Sequence, residues 1–353
     1  MDANPGKSTG GETRRVAGEA NPDFTCYADA VARQRVHQED WLRVGYAPLG
    51  FYLKDFCLHC EGDVWHLFHI AGTPGVSCGL PGNEVFFGHA TTRDFVTWET
   101  HEACFFIDVN GWDHGHVFAP YVVASGGRYW MFYTGVATDN TQRIGVARSD
   151  DLFHWKRASD RPVIRPEEYG WAFCPTTGGA ACRDPHVLHD GERWQMYYTA
   201  VLRDGRGGVA RASSADLFTW RDEGVAYAFS GWNQCESCNV QRADDGRWLL
   251  FFGGHHAWSY VAGDNPQRWP DVAPTALRAD ITGMEVIARK GPRWLVTYFG
   301  LRYYRLLVGV LDWSAARPTI AQVTKAEELR EFKLQAHETP SESSARRQPP
   351  ALT

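Results

Sequence analysis

Five short apolar runs, each opened by a tryptophan behind a charged or glycine turn, recur along the chain: Trp65 in VWHLFHIAG, Trp130 in YWMFYTG, Trp194 in RWQMYYTA, Trp248 in RWLLFFGG and Trp294 in RWLVTYFG. A second tryptophan follows each run: Trp98 in DFVTW, Trp155 in DLFHW, Trp220 in DLFTW, Trp269 in NPQRW and Trp313 in LDW. Between them lie stretches such as RIGVARS and GGVARAS, which have strand character. Each unit reads as an inner strand, a tight turn with Gly or Asp-Gly, the tryptophan strand, a third strand, and an Asp-x-x-x-Trp turn into an outer strand. One antiparallel sheet per repeat predicts an all-β, five-bladed β-propeller forming a single domain. Blade limits fall at about 53–108, 117–165, 183–228, 236–275 and 281–313. Two matched sets of tryptophans set this pattern apart from a β-rich domain in which Trp merely fills core positions.

Outside the repeat the pattern changes. Residues 1–22 are polar and glycine-rich, residues 340–353 are a second polar tail, and the propeller occupies 23–339. The segment from Trp41 to Tyr52 is left over, and it could close the ring by lending a strand to the last blade. Lys325 to Gln335 carries helix formers in a short amphipathic pattern.

Composition narrows the function classes. Hydrophobic residues make up 44% of the 353 positions and charged residues 22%, as in a globular domain. A formal net charge of −6, with no basic run, speaks against nucleic acid or an anionic membrane as partner. No apolar stretch follows Arg14 and Arg15 as a signal core would, and none is long enough for a membrane span. With nine cysteines, an odd number, free thiols and a cytoplasmic location are the expectation.

A propeller brings the first strand of every blade to one axis, so carboxylates scattered over the sequence can meet there. Aligning the blades on Leu58, Val122, Val187, Val240 and Val286 puts Asp55, Ala119, Asp184, Ser237 and Gly283 at one level, three positions earlier, with Glu236 one residue before Ser237. Three carboxylates in a partly desolvated cavity raise at least one pKa. Glycoside hydrolysis needs such a set: one carboxyl attacks or activates water, and another protonates the departing oxygen. Taken singly, Asp55 and Asp184 would read as turn residues capping strand ends.

FFGHATTRDFVTWE (86–99), CRDPHV (182–187) and ESCNV (236–240) resemble, in order and blade position, the W-G-H-A, R-D-P and E-C-P segments of glycoside hydrolase family 32, the invertases and inulinases. The resemblance implies Asp55 as nucleophile, Asp184 as transition-state stabiliser, Arg183 as a ligand of sugar hydroxyls, Glu236 as general acid and base, and His89 as a further substrate-binding residue. No cofactor is implied for the hydrolysis. The likeness covers residues 45–313, with departures. The family's N-D-P-N-G motif stands here as KDFCLHC; FAPYVV in the second blade is closer to the arabinofuranosidases and xylosidases of family 43; and a C-terminal β-sandwich has no counterpart. Family 32 retains anomeric configuration and family 43 inverts it, so stereochemistry stays open, as do glycone, aglycone and oligomeric state.

Loops entering the inner strands carry Trp112, Asp113, His114, His116, Trp171, and Trp232 with Asn233, residue types that stack on sugars or bind hydroxyls. Each could equally be loop packing. His255, His256 and Trp258 leave the fourth tryptophan strand and are not assigned to the site. Cys57/Cys60 and Cys235/Cys238 have a zinc-like spacing, but residues three apart on a strand face opposite ways. Two positions beyond the aligned level stand Cys57, Tyr121, His186, Asn239 and Glu285. This second polar ring reads as a hydrogen-bonded plug with trapped water, or as a metal site using Cys57, His186 and Glu285; no metal is assigned. The rivals to a furanoside hydrolase or transglycosylase are an inverting arabinofuranosidase-like or xylosidase-like enzyme, a tailoring or phosphorolytic enzyme using His114, His116 and Arg183 toward an anion, and a non-catalytic sugar-binding propeller.

Overall fold

The computed structural model describes residues 44–175, 178–229, 235–254, 257–300, 304–332 and 334. Both predicted tails, Trp232, Asn233, His255 and His256 lie outside them. Strands among the described residues form five separate antiparallel sheets, each running outward from its first strand. The first blade contains β1 (Tyr52–Glu61), β2 (Val64–Gly72), β3 (Phe86–Thr92) and β4 (Trp98–Thr100), with β5 (Phe105–Phe106) also paired to β3. The second is β6 (His116–Ser125), β7 (Arg128–Val136), β8 (Gln142–Ser149) and β9 (Lys156–Arg157). β10 (Cys182–His189), β11 (Trp194–Val201), β12 (Gly207–Ser214) and β13 (Trp220–Phe229) make the third. The fourth comprises β14 (Glu236–Arg242), β15 (Trp248–Gly253), β16 (Trp258–Gly263) and β17 (Thr275–Arg278), and the fifth β18 (Ile281–Lys290), β19 (Arg293–Gly300), β20 (Leu306–Asp312) and β21 (Thr319–Gln322).

The apolar core lies between blades, because each sheet is apolar on both faces. Phe68 and Phe87 of the first blade pack with Val122 and Met131 of the second; Leu249 and Phe251 of the fourth pack with Trp294 and Val296 of the fifth. The ring closes where Leu53, Phe56 and Leu67 meet Phe299 and Leu306. The Asp-x-x-x-Trp turns explain themselves locally. Asp151 Oδ1 accepts the amides of Phe153 and His154, Asp216 Oδ1 those of Phe218 and Thr219, and Asp94 Oδ1 those of Val96 and Thr97. This carboxylate-to-backbone pattern fixes the reversal before the outer strand.

Two expectations need correction. The fifth blade continues beyond Trp313 through β21, a four-residue strand without a tryptophan to signal it, and the fourth reaches Arg278. The left-over segment does not supply a strand among its described residues: Tyr46 makes one antiparallel bridge to Leu306, with N···O distances of 3.1 and 2.9 Å, and the fifth blade draws all four strands from its own stretch. The amphipathic segment near the C-terminus forms a 3-10 helix, Ala326–Glu331, and Leu329 and Phe332 pack near Trp65 and Val308.

Candidate active site

Every inner strand breaks register at one equivalent place: between Lys54 and Phe56, Phe118 and Tyr121, Arg183 and His186, Glu236 and Asn239, and Thr282 and Glu285. The bulged residue has a left-handed backbone in all five blades, with φ of 31° at Asp55, 46° at Ala119, 57° at Asp184, 51° at Ser237 and 61° at Gly283. These are the five residues that the sequence alignment put at one level. Four are not glycine, so the conformation costs of order 1–3 kcal/mol each and must be held by the surrounding structure. At Gly283 a Cβ would also come within 2.7 Å of the Phe299 ring.

The bulges draw Asp55, Asp184 and Glu236 into one cluster. Ser237 joins two of them: its amide donates to Asp184 Oδ2 at 2.9 Å and its hydroxyl to Asp55 Oδ1 at 3.3 Å. Arg183 joins the other pair, with Nη2 donating to Glu236 Oε1 at 2.6 Å and Nε 3.5 Å from Asp184 Oδ2. The Thr199 hydroxyl stands 3.1 Å from the same Asp184 oxygen, and the Asp184 amide donates to Thr134 Oγ1 at 3.0 Å. Asp184 and Arg183 are 7% and 8% exposed, so neither charge could be tolerated without the other. Burial, then repulsion from Asp184, lifts Asp55 to about 7, although Lys54 opposes the rise. Burial also raises Asp184, against Arg183. The cluster therefore holds one carboxyl, Asp55, that can exchange a proton near neutral pH, set in a charged and hydrogen-bonded frame.

Below it, a cavity with about 40 Å³ of water-accessible space is lined by Asp55, Asp184, Tyr121, His186, Asn239 and Glu285, among others. That is room for a few waters and far too little for a sugar. The second polar ring is thus largely as aligned, except that Cys57 turns into the core between blades one and two, where its sulfur accepts the Val122 amide at 3.2 Å. Burial raises Glu285 to about 8, while its Oε2 accepts the Leu58 amide at 2.9 Å. No group of three or more His, Cys, Asp or Glu among the described residues could hold a metal ion.

Several rim candidates are structural. Asp113 is fully buried, its Oδ2 taking the Tyr133 hydroxyl at 2.9 Å and Arg157 Nη2 at 2.6 Å, so it anchors the second blade rather than meeting a ligand. His116 is buried, with Nδ1 on the Asn83 carbonyl at 2.8 Å. His89 lies in a pile between blades one and two: its Nε2 meets His66 Nδ1 at 3.0 Å, and its ring stacks on Phe68 at 4.7 Å and tilts over His101 at 4.8 Å. Trp112 stacks on Tyr133 at 5.9 Å, and Trp171 stacks on Tyr169 while donating to Asp222 Oδ2 at 3.0 Å. His114 spends both ring nitrogens on its own surroundings, Gly111 O at 2.9 Å and Thr138 Oγ1 at 3.1 Å. None of these six lines the axial cavity, which is itself too small for a sugar, and Trp112, His114 and Trp171 are only half-buried. Sequence position placed them near the mouth; packing decided where their side chains went.

Sequence reading missed Lys54 and Glu84. Lys54 precedes Asp55 as Arg183 precedes Asp184, a signal the blade alignment held. Glu84 sits in a loop with no periodicity to mark it.

Residues 57–228 match the model of the glycosyl hydrolases family 32 N-terminal domain. Just under half of the chain is thus similar to that family's N-terminal domain. Over 256 residues the chain is 25% identical to an invertase of Schizosaccharomyces pombe, covering 65% of this chain and 41% of the relative. It is 27% identical to a fructan 1-exohydrolase of Hordeum vulgare over 62% of this chain and 34% of the other. The chain thus spans less than half the length of these curated relatives. The family 32 β-fructofuranosidase BmSUC1 of Bombyx mori has the same fold, with a TM-score of 0.65 at 16% identity, over 87% of this chain and 70% of that one. A thermostable family-43 glycoside hydrolase superimposes with a TM-score of 0.60 at 15% identity, over 80% of this chain and 96% of that one.

Proposed function

We propose that this propeller is a glycosidase acting on β-fructofuranosides, by hydrolysis or by transfer to another acceptor, with Asp55, Asp184 and Glu236 as its catalytic carboxylates. The observation that carries the reading is the convergence of these three on bulged inner strands, cross-linked through Ser237 and Arg183. Asp55 attacks the anomeric carbon as the bond to the leaving group breaks, and Glu236 gives its proton to the departing oxygen. Water, or a sugar hydroxyl in transfer, then adds to the anomeric carbon and releases Asp55, returning the proton to Glu236. Asp184, held by Thr199 and the Ser237 amide, stabilises the positive charge that develops on the ring. Arg183 offers donors to sugar hydroxyls beside it. The matched invertase and fructan exohydrolase support fructose as the glycone.

A second reading has one observation in its favour: FAPYVV in the second blade is closer to the family 43 pattern than to that of family 32. In that reading Asp55 activates water and the product is inverted. Incubating the protein with sucrose and with chromogenic furanosides, and following product anomers by NMR, tests both. Retained β-fructose supports the first; an inverted product transfers the assignment to the second; absence of turnover on every furanoside removes both.

A further inference from the structure

The residue just before each bulge forms a second set of equivalents: Lys54, Phe118, Arg183, Glu236 and Thr282. Two of them, Arg183 and Glu236, are bonded to one another in the cluster. Lys54 and Phe118 are also in contact, with Nζ 5.3 Å from the ring centroid. Where the family motif has a neutral asparagine before its aspartate, this chain carries a cation, and it carries a partner for that cation. Lys54 Nζ lies 2.9 Å from Glu84 Oε1. Glu84 is 1% exposed and has a left-handed backbone, φ 54°. Its Oε1 also takes the Tyr52 hydroxyl at 2.7 Å, and that hydroxyl accepts Asn83 Nδ2 at 2.9 Å. A carboxylate this buried, on a strained backbone, persists only if its surroundings hold it. What they hold it against is the ammonium of Lys54, the residue that precedes Asp55 in the chain.

We propose that Lys54, clamped by Glu84, is a positioning residue that keeps Asp55 ionised for attack. The proposal rests on the reading of Asp55 as the reacting carboxylate. Arg183 is bonded to Glu236 and lies against Asp184, and Lys54, the chain neighbour of Asp55, is the cation that opposes the repulsion on it. Facing Asp55 are Asp184 and Glu236, both repelling its charge, with Glu84 beyond Lys54 and with Glu285 and Tyr121 deeper in the axis. Removing Lys54 leaves the repulsion uncompensated, so Asp55 binds its proton to higher pH. Replacing Glu84 by glutamine keeps an acceptor for Lys54 and removes a negative charge, so Asp55 releases its proton at lower pH.

The test is the acid limb of kcat/KM against pH, which reports the free enzyme's ionisations. In Lys54→Met the limb moves up by about one pH unit or more, so activity lost at low pH returns at high pH; Lys54→Arg brings the limb back; Glu84→Gln moves it down. Equal loss at all pH values in Lys54→Met, with the limb unmoved, overturns the proposal, as does an upward shift in Glu84→Gln. Should Lys54→Met fail to fold, the Glu84→Gln and Lys54→Arg profiles still decide. If the native protein shows no turnover or Asp55→Asn keeps it, the functional reading fails instead. The clamp is then read directly by carboxyl ¹³C titration of Asp55 in native and Glu84→Gln protein, where an unchanged midpoint refutes it.

Discussion

Two clusters of titratable side chains on the same propeller solve the cost of burial in opposite ways. At the axis, Asp55, Asp184 and Glu236 are surrounded by Arg183, Lys54, Ser237 and Thr199, so negative charge is opposed and hydrogen-bonded. Between blades one and two, His66 and His89 stack on each other and on Phe68, with His101 tilted against His89 and Phe153 set edge-on, and burial holds His66 and His89 well below the usual imidazole range. The first cluster is met by counter-charges and leaves the Glu236 side chain 38% exposed, whereas in the second burial keeps His66 and His89 neutral and they become core. Clustered ionisable residues therefore point to chemistry only where counter-charges and access accompany them. His89, grouped with the sugar ligands by its motif, falls on the wrong side of that distinction.

The contrast breaks most visibly at the axis. Asp55→Asn should lower kcat by about four orders of magnitude, the scale of losing a nucleophile, and Glu236→Gln by about 10²–10⁴. Unfolding midpoints should stay near native in both, which circular dichroism checks; near-native turnover in either would make the axial cluster as inert as the histidines. At the rim the reverse is expected. Asp113→Asn should destabilise the fold by about 3 kcal/mol, because Arg157 loses its buried partner. His89→Leu should cost about 1–3 kcal/mol by stranding His66 Nδ1. Neither should change KM for a furanoside in protein that remains folded, and a large KM effect of His89→Leu would return it to the site.

The pH dependence of stability sharpens the difference further. His59, His66, His69 and His186 are each held at about 4 by burial, against an ordinary value of 6.5. The unfolded chain takes up these protons first, so their contribution is complete above pH 6.5 and is lost as pH falls toward 4. Glu285 has the opposite sign. Raised from 4.5 to about 8, it contributes fully below 4.5 and loses that contribution as pH rises through 8. Urea midpoints measured from pH 4 to 9 should fall at both ends, and Glu285→Gln should flatten only the alkaline side. An unaltered alkaline slope in that variant would mean that Glu285 is already ionised in the folded protein.

The five-fold repeat, the strand order and the level of the axial residues were legible because tryptophan spacing and turn chemistry are local and each blade states them again. Asp55, Asp184 and Glu236 could be singled out because equivalent positions in a repeat must be equivalent in space. The short β21 was illegible, since four residues carry too little pattern, and the Tyr46 bridge depends on a distant partner. The shared bulge was hidden as well. Asp, Ala, Ser and Gly have no common preference for a left-handed backbone, so only packing around the axis could impose it.

By itself, then, the sequence determined which residues recur and at what level of the ring, because periodicity and turn formation act over a few neighbours. Tertiary structure alone decided which polar side chains became a reactive cluster and which became core. Lys54 meets Glu84, Arg183 meets Glu236, and Asp113 disappears into the second blade through contacts between residues 30 to 53 positions apart. Burial and charge pairing act through space, and no stretch of chain contains them before the blades close.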